Sequence, residues 1–427
     1  MRQLLFGLFA CTVLHAAAQL PTDPYEEERI TLVRAHQPGQ GFKLVDKREG
    51  TLTFSFLNTI RYLNQRGFND TYTDYFGRTR PVKQRNDLQF QKVTLYFKGW
   101  IFTPKLRYMS YIWTSNVSQG QLAQVVIAGN LQYQLKKWLD VGIGIGGLPA
   151  TRSLLGNWPV WLRQDARPMA EEFFRASYTT GVWAQGEIRP GLYYKTMLGN
   201  NLSQLGIDAG QLDPGFDTWS SALWWTTNKF GRSAPFGDFG KHKAAASLLG
   251  ISFTRSNETA QSQPGEDAPE NSQIRLSDGT SVFSIHAFND SSTIRAAKYE
   301  MMSTYGGLKY RGASLDVEYY LRWISKIENT GKLPVDHFFD QGFYVQASYM
   351  LIPKTLQLYG AGSYVNGEYG KPYEFNIGLN YYPFRNQVFR INPEFINTRN
   401  SPVGYLSFPT TQGANGNAFM LNLELFY

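Results

Sequence analysis

The chain ends in a strict alternation of apolar and polar side chains that runs to its final residue. Every second position is apolar: Phe419, Leu421, Leu423, Leu425 and Tyr427. A period of two places one apolar face on a β-strand, and a terminal aromatic on such a face is typical of a lipid-facing strand that meets the membrane interface. The other face includes Asn422 and Glu424, which a water-filled lumen can accept. This segment predicts a strand of an outer-membrane β-barrel.

The N-terminus has the pattern of a secretory signal peptide. Arg2 precedes a short apolar core at 4–14, and three alanines at 16–18 offer a small-residue cleavage site,. We therefore assign 1–18 to the signal peptide. The single cysteine, Cys11, lies inside it, so the exported chain would have neither disulfides nor thiolate metal sites. A lipoprotein processing site at 8–11 is the alternative, and it would cut the apolar core short.

Composition separates a barrel from a helical membrane protein. The mean hydropathy is -0.35, and no apolar run of about 20 residues follows the signal peptide, which argues against membrane-spanning helices. A closed barrel is the remaining way to span lipid. Loss of Arg2 leaves 41 of the 42 basic residues against 34 acidic ones, a net charge of +7. That excess favours anionic solutes or lipopolysaccharide phosphates, although ordinary surface charge explains it equally well.

The alternation is clearest within the chain at 313–323. One face carries Ala313, Leu315, Val317, Tyr319, Leu321 and Trp323, and the other carries Ser314, Asp316, Glu318, Tyr320 and Arg322. In a lipid-embedded barrel the apolar face points out and the charged face lines the lumen. In a soluble sandwich the directions are reversed, and this strand alone does not distinguish the two.

Sixteen segments of strand length show comparable patterns, and an even number is expected of a bacterial barrel. They are 52–62, 90–100, 105–113, 122–135, 138–146, 174–186, 190–199, 217–227, 244–254, 298–310, 313–324, 341–352, 355–365, 373–383, 387–397 and 417–427. The apolar stretch 282–288 is either a further strand or part of a loop, so the count ranges from 14 to 18. The predicted fold is an all-β, transmembrane antiparallel barrel over 51–427, preceded by a periplasmic N-terminal segment at 19–50.

The connections between these strands differ greatly in length. Short ones, such as 136–137 and 311–312, are typical of periplasmic turns, and long ones of extracellular loops. The interval 255–278 is rich in Ser, Asn, Glu, Gln and Pro, which predicts an exposed extracellular loop.

The connection at 148–173, the third long one, mixes aromatic and basic residues. It contains Trp158, Trp161, Arg152, Arg163 and Arg167. Aromatic side chains can anchor a loop against the inner wall while guanidinium groups attract anions. The composition therefore predicts a constriction loop folded into the barrel. The alternative is a surface loop whose charges face solvent.

Four further segments carry a family resemblance. They are QKVTLYFKG at 91–99, LDVEYY at 315–320, QGFYVQASYML at 341–351 and GLNYYP at 378–383. In order and spacing they resemble successive strands of the phosphate-selective porin O and P family. The resemblance implies a sixteen-stranded outer-membrane barrel with an inward-folded third loop and a basic pore interior, commonly assembled as a homotrimer.

The segment 141–149 departs from that family. Where the family has a charged strand leading to a proline, this chain has no Lys or Arg, and only Pro149 and the following Arg152 match. An arginine ladder is therefore not carried over whole, and phosphate is one anion among several that the pore would admit.

Basic side chains on the polar strand faces, or in and beside the constriction loop, are the candidates to line the lumen. They are Lys98, Arg107, Arg152, Arg163, Arg167, Arg175, Lys195 and Arg322, opposed by the acidic Asp316, Glu318 and Glu424. Two interpretations stay open. Cations facing carboxylates would create a transverse field that orients solutes, or the same charges pair and hold the wall, at less than about 1 kcal/mol per exposed pair. Three of the arginines, Arg152, Arg163 and Arg167, are predicted to bias the pore toward anions.

Catalytic motifs are absent from the sequence. Of five His, His15 falls in the signal peptide, and the other four show neither catalytic nor metal-ligand spacing,. We therefore predict no enzyme activity, no cofactor and no metal site.

The sequence as a whole predicts a porin through which small hydrophilic solutes diffuse passively, with a bias toward anions. The expected partners are small anionic or polar solutes, outer-membrane lipid and lipopolysaccharide, the barrel-assembly machinery through the C-terminal strand, and two further copies of the chain, with no role for nucleic acid. The alternative is a structural or adhesive outer-membrane barrel without an open channel.

Overall fold

The structure is a computed structural model that describes residues 36–115, 124–164, 166–203, 215–259, 274–284, 287–288, 293–331, 335–404 and 412–427. The predicted signal peptide and the first part of the predicted N-terminal segment lie outside these residues. The fold is almost entirely β-structure.

The described residues form nineteen strands and one short helix. The strands are β1 (Phe42–Lys47), β2 (Gly50–Phe68), β3 (Thr71–Thr73), β4 (Thr79–Pro81), β5 (Asn86–Ile101), β6 (Thr103–Ser115), β7 (Gln124–Lys136), β8 (Leu139–Gly147), β9 (Tyr178–Arg189), β10 (Leu192–Gly199), β11 (Thr218–Thr226), β12 (Ala246–Thr259), β13 (Ile294–Tyr310), β14 (Ala313–Asn329), β15 (Phe338–Ile352), β16 (Leu356–Asn366), β17 (Tyr373–Tyr381), β18 (Phe389–Arg399) and β19 (Gly416–Phe426). The helix α1 spans Met169–Phe174, and a 3-10 turn spans Arg152–Leu154. No helix in these ranges is long and apolar enough to cross a membrane.

Sixteen of the strands close into one antiparallel barrel. The ring runs from β2 to β5 and then through each successive strand to β19, which pairs back onto β2. The closing register places Leu421 opposite Tyr62. Strand β1 forms a hairpin with the start of β2, and β3 pairs with β4 in the first long loop. Each of the sixteen predicted segments coincides with one strand of the ring, so the predicted fold class and strand number are confirmed.

The barrel is apolar outside and polar inside. On β14, Leu315 is 45% exposed and Val317 is 38% exposed, whereas Asp316 and Arg322 are fully buried. A soluble protein of this size does not expose such a continuous apolar band, but lipid tails solvate it. The alternation at 313–323 is therefore that of a membrane barrel, and the soluble sandwich is excluded.

Short turns lie at the end of the barrel where strand β2 begins and strand β19 ends. The exception is the connection at 227–245 between β11 and β12, which folds inward and buries Phe230 and Ala234. The long connections lie at the other end. The barrel thus has the one-sided loop distribution that the sequence predicts.

Much of the lumen is filled by the protein itself. The connection between β8 and β9, 148–177, packs against inward strand residues together with the segment 274–284, and the shared apolar cluster includes Phe173, Phe174, Ile274 and Phe283. The interval 255–278 therefore differs from the predicted exposed loop: 255–259 extend β12, 260–273 lie outside the described residues, and 274–278 are largely buried. The described part of 282–288 belongs to a loop and is also largely buried.

Candidate solute passage

The third long loop crosses the lumen. It leaves the barrel between β8 and β9, and its helix α1 packs against β14, β15, β16 and β17 on another part of the wall. The ring of Phe174 stacks on Tyr320 with centroids 5.2 Å apart. Glycine at 342 leaves room for it, since a Cβ there would lie 2.5 Å from the Phe174 ring. The predicted inward folding of this loop is confirmed.

Arg163 fixes the loop to the wall through two buried carboxylates. Its Nε and Nη2 contact Glu394 Oε1 at 2.8 and 2.7 Å, and its Nη1 contacts Glu374. The other oxygen of Glu374 accepts a hydrogen bond from the Met169 amide at 2.7 Å. Burial alone would lower the pKa of Arg163, but the charges of Glu374 and Glu394 raise it above its usual value. The group is therefore a fully charged, fully paired anchor.

Arg152 joins the loop to two other parts of the chain. Its Nη1 lies 2.7 Å from Asp316 Oδ1 on β14, and its Nε donates to the carbonyl of Ala234 in the inward β11–β12 connection at 3.1 Å. Its own backbone amide donates to Glu318 Oε1 at 3.1 Å. The guanidinium lies over the Phe236 ring at 4.3 Å. Arg152 thus holds the loop and the inward turn together.

Wall arginines complete the attachment. Arg390 pairs with Glu424 at 3.0 Å and also donates to the carbonyl of Trp161 at 2.5 Å. Arg322 pairs with Asp340 at 2.6 Å and lies over the Phe173 ring at 4.1 Å. Arg390 and Arg322 thus each pair with one wall carboxylate and also contact the inserted loop.

These contacts decide between the two interpretations for most of the predicted lumen charges. Arg152, Arg163 and Arg322, with Asp316, Glu318 and Glu424, are buried in mutual or loop contacts and do not face an open passage. The reason is that the inserted loop brings cations to wall carboxylates that a bare barrel would leave in water. Buried ion pairs of this kind add little net stability but fix one arrangement, since breaking one leaves an uncompensated charge.

Arg167, Arg175 and Arg107 are also paired. Arg175 makes two hydrogen bonds of 2.7 Å to the carboxylate of Glu172, and Arg167 donates to Ser153 Oγ at 2.7 Å while stacking on Trp161 at 4.4 Å. Arg107 forms an ion pair with Asp140 on β8. Their charges are largely compensated locally.

A cavity of about 410 Å³ remains between the third loop and the wall formed by β5 to β11. Six basic residues border it: Lys92, Lys98, Arg167, Arg175, Lys195 and Arg232. Aromatic residues border it as well: Tyr96, Tyr111, Trp113, Trp158, Trp161, Tyr178, Trp183, Trp224 and Phe426. None of the described lining residues is Asp or Glu, so the cavity has a cationic and aromatic surface.

Two wall lysines in this cavity donate hydrogen bonds to carbonyl oxygens. Lys98 Nζ donates to the carbonyl of Gly39 and Lys195 Nζ to that of Gly147, each at 2.6 Å. Lys195 Nζ also lies 5.8 Å from the centre of the Trp183 ring, and Lys92 lies over the Trp113 ring at 5.1 Å. Within the described ranges no ion pair joins Lys98 or Lys195 to a carboxylate, so both bring positive charge to the cavity.

The glycine-rich strand β8 explains why the chain lacks basic residues there. Gly142 and Gly146 lie beneath the indole of Trp183, and a Cβ at 142 would come within 2.2 Å of Trp183 Cε2. A lysine or arginine on this face would displace the indole. The strand therefore leaves space for the Trp183 indole at the position where the family that the chain resembles has charged residues.

Several residues of the site were not identified from the sequence. Glu374 alternates with the outward Phe375 and Ile377 on β17, so the parity used for other strands would have found it. Asp340 has the same signal on β15. Arg232 has none, because nothing in the sequence shows that its turn folds inward. Across the described residues no group of three or more His, Cys, Asp or Glu is placed to hold a metal ion.

Several solved structures that share this fold are bacterial outer-membrane proteins. An anion-selective porin from Comamonas acidovorans has a TM-score of 0.53 at 10% identity, with 89% of this chain and 100% of that chain covered. The outer-membrane channel DcaP of Acinetobacter baumannii has a TM-score of 0.52 at 10% identity, covering 91% and 99%. The trimer form of OmpT, an outer-membrane protein of Vibrio cholerae, has a TM-score of 0.53 at 11% identity, covering 89% and 100%. No protein-family model and no curated protein matches the chain.

Likeness at such low identity shows the fold alone. The chain has the sixteen-stranded barrel of bacterial outer-membrane porins, and with its apolar exterior it belongs in the bacterial outer membrane. The narrower resemblance to the phosphate-selective porin O and P family stays a prediction.

Proposed function

We propose that the chain is an outer-membrane porin whose passage runs through the cavity between the third loop and the β5–β11 wall. Small hydrophilic solutes cross it by diffusion, and anions are favoured. The observation that carries this proposal is the lining of the cavity, which has six basic residues and no Asp or Glu among its described members.

The lysines are the best carriers of the anion preference. The buried arginines Arg152 and Arg163 each face carboxylates within hydrogen-bonding distance, so their fields largely cancel a few ångströms away,. Lys98 and Lys195 donate to carbonyls, and among the described residues neither forms an ion pair with a carboxylate. In a narrow, low-dielectric passage, charges of one sign without opposite partners raise the local concentration of counter-ions. We therefore assign the anion bias chiefly to Lys98 and Lys195.

Phosphate is one of the anions that this lining would admit. The proposal does not single it out, because two cavity guanidinium groups suited to bidentate phosphate contacts, those of Arg167 and Arg175, already contact other groups of the protein. We further propose a homotrimer, in line with the trimer form of the structurally similar OmpT. Chemical cross-linking of the detergent-extracted protein would show three subunits if this is right, and a monomer would reject it.

Planar-bilayer recording tests the channel and its selectivity together. Under a KCl gradient, we expect steady open current levels and a reversal potential of the sign that preferential chloride permeation gives. Combined K98Q and K195Q substitutions should move the reversal potential toward zero or to the sign that cation preference gives. The control K354Q removes one positive charge from an exposed turn and should leave the potential unchanged. A cation preference in the wild type, or no shift in the double variant, rejects the assignment.

The filled lumen favours a second candidate, a structural or adhesive barrel without an open channel. The third loop, the segment 274–284 and the inward β11–β12 connection all occupy the interior. Single-channel recording separates the two candidates, because a permanently closed barrel shows no steady open level.

A further inference from the structure

We propose that the cavity selects organic anions that carry a ring over acyclic anions of similar size. This inference rests on the proposed porin function and specifies its substrate class. The ligand chemistry in question is one carboxylate attached to a ring that has an apolar face, as found in uronic acids and aromatic carboxylates.

The inward face of β5 places the Tyr96 ring between two lysines. Lys92, Thr94, Tyr96 and Lys98 occupy consecutive inward positions of this strand. Residues two apart on a strand are separated by about 7 Å. The Tyr96 ring therefore has one ammonium group a single step away along the wall and a second two steps away in the other direction.

Further rings extend Tyr96 into a continuous aromatic surface, which we call the aromatic row. Its other members are Tyr111 at 6.1 Å, Trp158 at 6.3 Å and Phe426 at 5.9 Å between ring centroids. All four rings border the cavity and are only partly buried. They come from three wall strands and from the third loop, so the loop completes the row when it docks.

This arrangement matches a ring-bearing anion in two respects. A sugar or aryl ring can lie against the aromatic row, where its apolar face leaves water, while its carboxylate reaches Lys98. An acyclic anion can make the charge contact but gains less from the row. The same logic explains why the cavity combines aromatics with cations and why its described lining residues include no carboxylate that would repel the ligand.

Glucuronate and gluconate make a matched pair of test solutes. Both are six-carbon sugar acids with one negative charge, but only glucuronate has a closed ring, and benzoate supplies an aromatic ring as the other arm. Each is added at increasing concentration to wild-type channels carrying KCl current. We expect glucuronate and benzoate to interrupt the current at lower concentration than gluconate does.

Substitutions then separate ring recognition from charge recognition. Tyr96→Leu should raise the half-blocking concentration of glucuronate by about two- to tenfold, the range expected for losing one aromatic contact, and should change that of gluconate much less. Lys98→Gln should weaken the block by both anions. The control Tyr194→Leu alters an outward-facing tyrosine and should change neither.

Each outcome has a defined meaning. Preference for glucuronate alone identifies sugar acids as the class, and preference for benzoate alone identifies aryl carboxylates. Equal block by glucuronate, benzoate and gluconate, or an unchanged ratio in Tyr96→Leu, overturns the inference while anion-selective KCl conductance leaves the porin function standing. Absence of any steady conductance rejects both.

Discussion

Loss of Arg163 should release the third loop from the wall. In the Arg163→Met variant, Glu374 and Glu394 would remain as two carboxylates with fully buried side chains and no cation between them. Breaking a buried pair in this way costs about 3–5 kcal/mol. Even the lower figure raises the undocked fraction of the loop about 150-fold at 1.36 kcal/mol per tenfold change. The barrel strands themselves do not depend on this contact and should still close.

Single-channel recording measures this release directly. We expect Arg163→Met channels to show higher mean conductance and larger open-level noise than the wild type, because the undocked loop no longer fills the lumen. Adding Glu374→Gln and Glu394→Gln should restore quieter channels, since no buried charge is then left unpaired. The exposed Arg295 gives the control, Arg295→Met. A folded Arg163→Met barrel with wild-type conductance and noise refutes the anchoring role.

Three further expectations concern the loop, the glycine strand and the lipid face. Burial would raise the pKa of Glu172, but chiefly Arg175 and Arg167 hold it below the usual 4.5. Both arginines belong to the same loop, so the depressed pKa stabilises the folded conformation of the loop at pH values above 4.5, and this effect is lost as the pH falls through the depressed pKa,. Channel noise should therefore rise at acidic pH in the wild type and stay unchanged in Glu172→Gln. Gly142→Ala should bring a methyl group into collision with Trp183, destabilise the barrel by about 1–3 kcal/mol and lower the temperature of the heat-dependent gel shift. An unchanged temperature would contradict the close packing of the indole on Gly142. Val317→Lys should place a charge in lipid at about 2–4 kcal/mol and reduce folding into vesicles, whereas normal folding would show that this face is not in lipid.

The barrel could be predicted from the sequence because the alternation of apolar and polar side chains is a local pattern. Alternation along each strand sets the inward and outward faces, and β14 and β19 follow it without exception over their central residues. Strand ends were harder to predict, since the pairing continues beyond the apolar band into residues whose outward side chains are polar. Strand β2 extends to Phe68, six residues past the predicted end, and its outward residues there are Asn64 and Arg66.

The pairing of the charged side chains could not be predicted in the same way. Parity predicts that Asp316 and Arg322 face inward, and both side chains are buried. Arg322 pairs with Asp340 on the neighbouring strand β15, but the partner of Asp316 is Arg152, which is far away in the chain. Arg152 contacts Asp316 only because the third loop crosses the lumen at the level of Asp316. Long-range contacts of an inserted loop leave no periodic signal, and so the sequence indicated a set of lumen charges without showing which of them remain uncompensated.

Modification of a cysteine at position 98 tests the central claim, that ions pass through the cationic cavity beside the third loop. The only native cysteine, Cys11, lies in the predicted signal peptide, so Lys98→Cys introduces a single reactive thiol. In a bilayer, a negatively charged thiosulfonate reagent should reduce the current and the chloride preference, and a positively charged one should restore that preference. The same reagents on Lys354→Cys should have no effect. Channels that show no steady current, or Lys98→Cys channels that respond to neither reagent, would contradict a passage through this cavity.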